Sequence, residues 1–377
     1  MINRVLQKNI QKKLYKKKVI ILIGARQTGK TTLLKNLFQR KTNALWLNAD
    51  EHDIQQMFKN NSSTRFKNIF GTKKIIIIDE AQRIKDIGLK LKLIHDEMPE
   101  YQIIATGSSA FELVNRINEP LTGRKWEYNI FPLSFGEMVE HHGFIDENRL
   151  LHERLIYGYY PEIVVNPDEK KELLKQLIDS YLYKDILMWH RLKKPEKLVK
   201  LLQALAFQVG SEVSYNELSS LIGIDNQTVE KYIQLLEQVF VVFRLPAFSR
   251  NLRKEIKRGR KVYFYDNGIR NAIIANFNIL ELRNDKGALW ENFLISERMK
   301  YLHYNNIWAN SFFWRTKDQQ EIDYIEEKDG KLYAFEMKWN HKKTPKLAKI
   351  FATTYPNHEY NIINPKNYEE FILNTNE

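Results

Sequence analysis

The chain has 377 residues, which is long enough for two or three domains. It contains no cysteine, and this excludes zinc fingers, iron–sulfur clusters, disulfides and thiol catalysis. Lysine and arginine outnumber aspartate and glutamate by 59 to 46, and the net charge of +13 favours a polyanionic partner such as DNA, although a lysine-rich solvated surface gives the same count. No stretch approaches the roughly 18 apolar residues of a membrane-spanning helix, so we expect a cytoplasmic protein without a membrane partner.

The first 18 residues carry apolar side chains at helical spacing among many lysines. The apolar positions are Ile2, Val5, Leu6, Ile10 and Leu14. This period predicts a basic amphipathic helix that packs on the domain following it.

Residues 19–34, VIILIGARQTGKTTLL, read as a strand, a glycine-rich turn and a helix start, and they contain the phosphate-binding pattern G-x-x-x-x-G-K-T. Gly24 and Gly29 allow the backbone to wrap a polyphosphate and to aim its N–H groups at the negative charge. We expect Lys30 to reach the β- and γ-phosphates and Thr31 to hold Mg²⁺. The predicted ATP-binding residues of this loop are Gly24, Ala25, Arg26, Gln27, Thr28, Gly29, Lys30, Thr31 and Thr32.

A second motif, KKIIIIDEAQR at 73–83, predicts a buried parallel strand that ends in two adjacent carboxylates. Asp79 would complete the magnesium shell through water, and Glu80 would polarise the water that attacks the γ-phosphate. Taken alone, the motif also suits a strand that runs into a solvated acidic turn. Its position downstream of a phosphate-binding loop favours the catalytic interpretation.

Two further strands complete a βα repeat, NALWLNAD at 43–50 and YQIIATGSSAFEL at 101–113. The alternation predicts a parallel sheet covered by helices on both faces. Thr106 and Ser108 end the fourth strand, where ligands of open α/β sheets bind. A small polar side chain at this point can sense the γ-phosphate.

The motifs GARQTGKTT, IIIIDEAQR, ATGSSAFEL, LTGR and FPLSFGE together resemble the AAA_14 family of bacterial and archaeal ATPases. The downstream half, roughly 180–377, is similar to the DUF4143 domain that usually accompanies it. The resemblance implies an AAA+ ATPase core over residues 1–133. In such a core an arginine before the fifth strand usually faces the nucleotide of a neighbouring subunit, which implies this role for Arg124 in a homo-oligomer, either a ring or a dimer. Arg116 and Arg26 compete for the role, and a surface arginine in a loop is the alternative.

Two helical regions follow the core. Residues 134–200 predict a helical lid subdomain, interrupted by GYYPEIVVNP and continued by a long amphipathic helix, LLKQLIDSYLYKDILMWH. Residues 201–260 predict a winged helix-turn-helix, because three helices separated by glycine-containing turns precede a β-rich segment. Asp225 or Asn226 would cap the third of these helices.

The third helix offers few basic residues for reading DNA. A DNA-binding version would place Asn226, Gln227 and Lys231 in a major groove, whereas such domains also serve only for protein contacts. The next segment, SRNLRKEIKRGRK at 249–261, is far more basic. Its seven lysines and arginines could line a phosphate backbone or form a solvated hairpin.

The last region, residues 261–377, resembles the PD-(D/E)xK nuclease core. Glu291 lies on a predicted helix, Asp323 on one predicted strand, and Glu336 and Lys338 on the next, where alternation puts them on one face. The resemblance implies that Glu291, Asp323 and Glu336 hold Mg²⁺ or Mn²⁺ while Lys338 steadies the attacking hydroxide. The alternative is an α/β domain whose strands merely carry a charged pair.

The sequence therefore predicts an α/β protein with an AAA+ ATPase core, a helical lid, a winged helix-turn-helix and a C-terminal restriction-endonuclease-like domain. We expect ATP and Mg²⁺ as cofactors and DNA as the partner that hydrolysis remodels or processes. The competing hypothesis is a nucleotide-dependent switch that docks to a protein partner and carries an inert nuclease fold. Stimulation of hydrolysis by DNA would distinguish the two.

Overall fold

The computed structural model forms two compact units. The first contains residues 1–133 with 238–240, and the second contains residues 134–237 with 241–377. The described residues are 2–39, 41–59, 62–107, 117, 119–179, 194–250, 259–342 and 344–373. Within these ranges, no helix has the length and apolar character needed to cross a membrane.

A five-stranded parallel sheet forms the centre of the first unit. Its strands are β1 (Val19–Ile23), β2 (Ala44–Asn48), β3 (Ile75–Asp79), β4 (Gln102–Gly107) and β5 (Lys125–Asn129). They lie in the order β2-β3-β4-β1-β5, and every neighbouring pair is parallel. Strands β1 and β4 are buried along their whole length, as aliphatic strands covered on both faces must be. The predicted parallel α/β arrangement is confirmed.

Five helices accompany this sheet in the described part of the first unit. They are α1 (Val5–Lys13), α2 (Lys30–Phe38), α3 (His52–Met57), α4 (Ser63–Phe70) and α5 (Ile87–Glu97). Helix α1 is shorter than the 18 residues predicted, and it buries Leu6 and Ile10 on one face. These two side chains anchor it, because its other face is largely basic and polar.

The glycine-rich turn between β1 and α2 is shaped by a close backbone approach. A Cβ atom on Gly24 would lie 2.1 Å from the carbonyl oxygen of Ile130, so no larger residue fits without displacing the chain after β5. Gly29 has φ of 91°, in the left-handed region that glycine adopts without steric cost. Both glycines are therefore demanded by the fold of the loop itself, in addition to any ligand.

Helices dominate the start of the second unit. They are α6 (Phe135–His142), α7 (Phe144–Arg149), α8 (Leu151–Tyr157), α9 (Pro161–Val165) and α10 (Lys170–Leu177). Helix α9 lies inside the stretch that was predicted as a break between helices. Pro161 occupies the first turn of α9, where a backbone N–H would have no partner within the helix, so the proline starts this helix and does not interrupt it. Residues 180–190 of the predicted long helix, which spans 173–190, lie outside the described residues.

Three helices and a small antiparallel sheet come next. The helices are α11 (Pro195–Phe207), α12 (Tyr215–Ile222) and α13 (Asn226–Gln238), and the strands are β6 (Glu212–Val213), β7 (Val242–Pro246) and β8 (Arg260–Phe264), in the order β6-β8-β7. Asp225 caps α13, since its carboxylate accepts from the backbone N–H and the hydroxyl of Thr228 at 2.9 and 2.6 Å. Residues 251–258 of the basic segment lie outside the described part.

A four-stranded mixed sheet ends the chain. The elements are α14 (Asn267–Ile273), α15 (Lys286–Tyr304), β9 (Asn310–Arg315), β10 (Glu321–Lys328), β11 (Lys331–Met337), α16 (Lys349–Thr354), β12 (His358–Ile363) and α17 (Tyr368–Ile372). The order is β12-β11-β10-β9, with only β11 and β12 parallel. The register of β10 against β9 shifts between Ile322 and Ile325, so the strand pairing is irregular around Asp323. Strand β12 was not predicted.

Candidate functional site

Lys30 opens α2 and is almost completely buried at 5% exposure. Its Nζ atom donates to the carbonyl oxygens of Gly24 and Ala25 at 2.9 and 2.7 Å. Burial lowers the pKa of Lys30 to about 8, against the opposing effect of the nearby Glu80 and Asp79 carboxylates. Within the described residues, the ammonium thus donates its hydrogen bonds to backbone oxygens of the loop, and an anion placed beside it would favour its charged form.

The rest of the loop contributes shape more than side-chain chemistry. Thr28 is buried and its hydroxyl donates to the Ala25 carbonyl at 2.8 Å. Gln27 has φ of 59°, so it shares the left-handed conformation found at Gly29. Gln27 and Thr32 are exposed, and Arg26 is half-buried.

Three oxygen-bearing side chains converge at the carboxyl edge of the sheet. The hydroxyl of Thr31 donates to Asp79 Oδ2 at 2.8 Å, and the hydroxyl of Thr106 donates to Asp79 Oδ1. Thr106 also accepts from the backbone N–H of Glu80 at 3.1 Å. Hydroxyl and carboxylate oxygens are the ligands that Mg²⁺ prefers, so the residues present fit this ion beside the phosphate-binding loop.

Glu80 is held in an unusual conformation. Its φ is 51°, a left-handed value that costs a non-glycine residue free energy and that clusters at functional sites. The buried Gln82 donates from Nε2 to Glu80 Oε2 at 2.5 Å. Sequence reasoning did not select Gln82, although it stands within the IIIIDEAQR motif.

Arg124 lies at the amino ends of the parallel strands, whereas the glycine-rich loop of the same chain lies at their carboxyl ends. It immediately precedes β5, and its carbonyl accepts from the N–H of Val19 at the start of β1. Its Nε atom donates to Asp96 at 2.8 Å, and this contact, with His95, holds the pKa of Asp96 below its usual value. The other predicted residues near this region, Ser108 and Arg116, lie outside the described residues.

The second unit brings Asp323, Glu336 and Lys338 together. The Nζ atom of Lys338 lies 2.9 Å from Asp323 Oδ2 and 2.6 Å from Glu336 Oε2. Burial, and then repulsion from Asp323, raises the pKa of Glu336 to about 7. Burial opposes the charge on Lys338, but the two carboxylates raise its pKa above the usual value. The lysine therefore bridges two acids that would otherwise repel each other.

Glu291, the predicted third ligand, has partners of its own. Its Oε1 atom accepts from Lys261 Nζ at 3.1 Å and from the Tyr263 hydroxyl at 2.6 Å. Lys261 is 1% exposed and also lies 2.5 Å from Glu321. Lys261 ends the basic segment 249–261, which was predicted to line a phosphate backbone or to form a solvated hairpin, and its burial between two acids contradicts both predictions for this residue. Glu321 was not selected from the sequence. In the described ranges, no three histidine, aspartate or glutamate side chains form a group that could hold a metal ion.

Comparison with known proteins matches family models to three parts of the chain. A family model described as an AAA domain, AAA_14, matches residues 16–139, and the model of a domain of unknown function, DUF4143, matches residues 286–375. The chain belongs to the AAA_14/DUF4143 ATPase family. A further domain of unknown function, DUF8612, matches residues 148–280 between them.

Relatives of this AAA_14/DUF4143 ATPase occur in bacteria and archaea. An uncharacterized protein of Mycobacterium tuberculosis is 27% identical over 345 residues, covering 90% of this chain and 74% of its own. An uncharacterized protein of Methanocaldococcus jannaschii is 24% identical over 344 residues, covering 85% and 75%. A Walker-type ATPase of Pyrococcus abyssi has a similar structure, with a TM-score of 0.52 at 16% identity over 73% of this chain and 96% of that one. This likeness shows a shared fold.

The pairing of Glu291 with Lys261 generates a stability prediction. Lys261→Met should destabilise the chain by about 3–5 kcal/mol, because it leaves a buried carboxylate without its cation. Adding Glu291→Gln should recover part of the loss, because the unpaired charge is then removed. Urea denaturation measures both effects.

The matched control for this prediction is Lys331→Met, which breaks an exposed ion pair with Glu359. This variant should unfold at nearly the wild-type urea midpoint. Wild-type stability of Lys261→Met would mean that Glu291 does not depend on this lysine.

Proposed function

We propose that this AAA_14/DUF4143 ATPase binds ATP with Mg²⁺ and hydrolyses it to ADP and phosphate. The observation that carries the proposal is the convergence of Lys30, Thr31, Asp79 and Glu80 beside one loop at the carboxyl edge of a parallel sheet. Lys30 exchanges its backbone partners for the β- and γ-phosphates. Thr31 and Asp79 would hold Mg²⁺, which would offset phosphate charge, and Glu80 would polarise the attacking water.

Separate roles for the loop and the acid predict separable defects. Lys30→Ala should weaken ATP binding at least about tenfold, because it removes charge-assisted contacts to phosphate. Glu80→Gln should bind ATP normally and lose turnover by about a hundredfold or more, because only the activation of water is lost. Calorimetric titration and phosphate release measure the two quantities. Lys35→Ala, an exposed lysine of the same helix, is the matched control, and wild-type turnover of Glu80→Gln would remove that residue from catalysis.

We further propose that Arg124 acts on the nucleotide of a neighbouring subunit in a homo-oligomer. Its place at the amino edge of β5, away from the loop of its own chain, supports action in trans. Its contact with Asp96 is half-exposed, so the guanidinium can be released at small cost.

Mixing two inactive proteins tests the trans role. Arg124→Ala and Lys30→Ala subunits should each hydrolyse little ATP alone, and their mixture should regain part of the activity because intact half-sites meet at mixed interfaces. The recovery should rise with total protein concentration, measured as phosphate release. Undiminished activity of Arg124→Ala alone would end the proposal.

DNA is the proposed partner of the second unit. The net charge of +13 favours a polyanionic partner for the chain as a whole, but residues 134–237 and 241–377 carry 35 lysines and arginines against 34 aspartates and glutamates, so the case for DNA at the second unit rests on local features. Helix α13, capped by Asp225, presents Gln227, Lys231 and Gln234 as exposed side chains at helical spacing. Glutamine and lysine are side chains that hydrogen-bond base edges in a major groove, which supports the winged-helix interpretation of α11–α13 with β6–β8.

The C-terminal sheet carries the proposal of metal-dependent DNA cleavage. Asp323 and Glu336 lie on the neighbouring strands β10 and β11, close enough for one lysine to contact both. Mg²⁺ or Mn²⁺ would hold the scissile phosphate there, once Lys338 has moved from between the two acids to the attacking hydroxide.

Cleavage and ATP hydrolysis should separate by mutation, because they use different groups. Asp323→Ala and Lys338→Ala should keep wild-type ATPase activity and lose any nicking of linear or branched DNA in Mg²⁺ or Mn²⁺. Gel assays of a labelled duplex measure nicking, and Lys331→Ala on the same sheet is the control. If the wild-type chain binds no metal at this site and cleaves none of these DNAs, the nuclease proposal falls.

A second candidate function is a nucleotide-dependent switch with an inert nuclease fold. The observation that favours it is that lysines of the chain already contact the acids, since Lys338 bridges Asp323 and Glu336 while Lys261 pairs with Glu291. Assays of ATP hydrolysis with linear, single-stranded and branched DNA distinguish the candidates. Stimulation supports a DNA-processing ATPase, and unchanged hydrolysis supports the switch.

A further inference from the structure

We infer that Arg4 is a positioning residue for the phosphate-binding loop, an inference that rests on the proposed ATP-binding function of that loop. Arg4 immediately precedes α1 and is 6% exposed. One terminal nitrogen of its guanidinium donates to the carbonyl oxygen of Thr28 at 2.7 Å, and the other donates to the carbonyl oxygen of Phe131 at 2.7 Å. The side chain thus joins the loop to the segment that follows β5.

The contact with Thr28 controls an amide that would face phosphate. In a trans peptide the C=O and N–H groups point in opposite directions, so fixing the oxygen of Thr28 also fixes the direction of the Gly29 N–H. A loop of this kind binds anions through such N–H groups. Arg4 therefore aims the amide of Gly29 without approaching the nucleotide itself.

No side chain restricts the backbone conformation of Gly29, so contacts with other residues must fix it. Its φ is 91°, and without a Cβ atom it can adopt left- and right-handed backbone conformations at similar cost. The guanidinium lies 3.6 Å from the position a Cβ atom would take, so it packs directly against this residue. The contact with Arg4 therefore restricts the backbone conformation of Gly29, which the glycine side chain cannot restrict.

Both ends of the glycine-rich loop contact the same backbone segment, residues 130–131 after β5. At the loop's start, Gly24 packs against the carbonyl of Ile130, whose N–H donates to Ile23 at 2.7 Å. On its far side, Arg4 connects Thr28 to Phe131. A lysine could not replace this connection fully, because a single ammonium lacks the planar fork that reaches two acceptors at fixed separation.

Helix α1 gives the arginine a rigid base. Leu6 and Ile10 are buried at 1% and 0% exposure, and they hold the helix whose first turn follows Arg4. The basic, otherwise solvated N-terminal helix thereby has a specific task in the nucleotide site, beyond covering the core.

The test compares Arg4→Gln, Arg4→Lys and the exposed-lysine control Lys12→Ala in the full chain. Amide hydrogen exchange without nucleotide should become about tenfold faster over residues 24–31 in Arg4→Gln, because a charge-assisted hydrogen bond is lost. ATP affinity should fall about tenfold, with KM rising more than kcat falls, since the loop amides bind phosphate equally in ground and transition states. Arg4→Lys should be intermediate, and Lys12→Ala should match the wild type.

Hydrogen exchange tests the role of Arg4 independently of the proposed ATP-binding function. Failure of the wild-type chain to bind ATP would overturn the proposed function, and the exchange data would still decide the role of Arg4. Wild-type exchange over 24–31 in Arg4→Gln would overturn the inference. Faster exchange spread evenly over the strands of the first unit would also overturn it, because Arg4 would then stabilise the fold in general.

Discussion

Two threonine hydroxyls donate to the carboxylate of Asp79, and the arrangement of the first unit depends on bringing those three side chains together. Asp79 ends β3, Thr106 lies in β4 and Thr31 belongs to the helix after β1. Because β4 lies between β3 and β1 in a parallel sheet, the carboxyl ends of the three strands meet at one edge. The charge of Asp79 is satisfied there by hydroxyls that are themselves suited to a cation or a phosphate.

The second unit buries many charged side chains. An isolated charge in a protein interior costs several kcal/mol, so each buried acid or base needs a partner with good geometry. Clear cases of such pairing are Arg154 with Glu147, Arg270 with Asp285, Lys300 with Glu297, Arg298 with Glu326 and Lys261 with Glu291. Asp323 and Glu336 of the C-terminal sheet follow the same rule, since Lys338 contacts both. Any external cation must therefore compete with an internal one.

The same competition operates in the nucleotide site. Burial disfavours the charge of Lys30, and within the described residues its hydrogen-bond acceptors are the neutral carbonyls of Gly24 and Ala25. A polyphosphate offers full negative charge at the same place. In the proposed complex with ATP, part of the binding free energy would come from replacing the neutral carbonyl partners of the lysine with charged phosphate oxygens.

Local sequence patterns were enough to predict the strands β1 to β4, the glycine-rich loop and the acidic pair after β3, because apolar runs and glycine-lysine spacing act over a few residues. The capping of α13 was equally local. What only the tertiary structure decided are the partners that lie far away in the chain: Arg4 beneath Thr28, Ile130 against Gly24, and Lys261 beside Glu291. These contacts depend on how distant segments pack, and a one-dimensional pattern of residue types carries no record of which buried charge will face which acceptor.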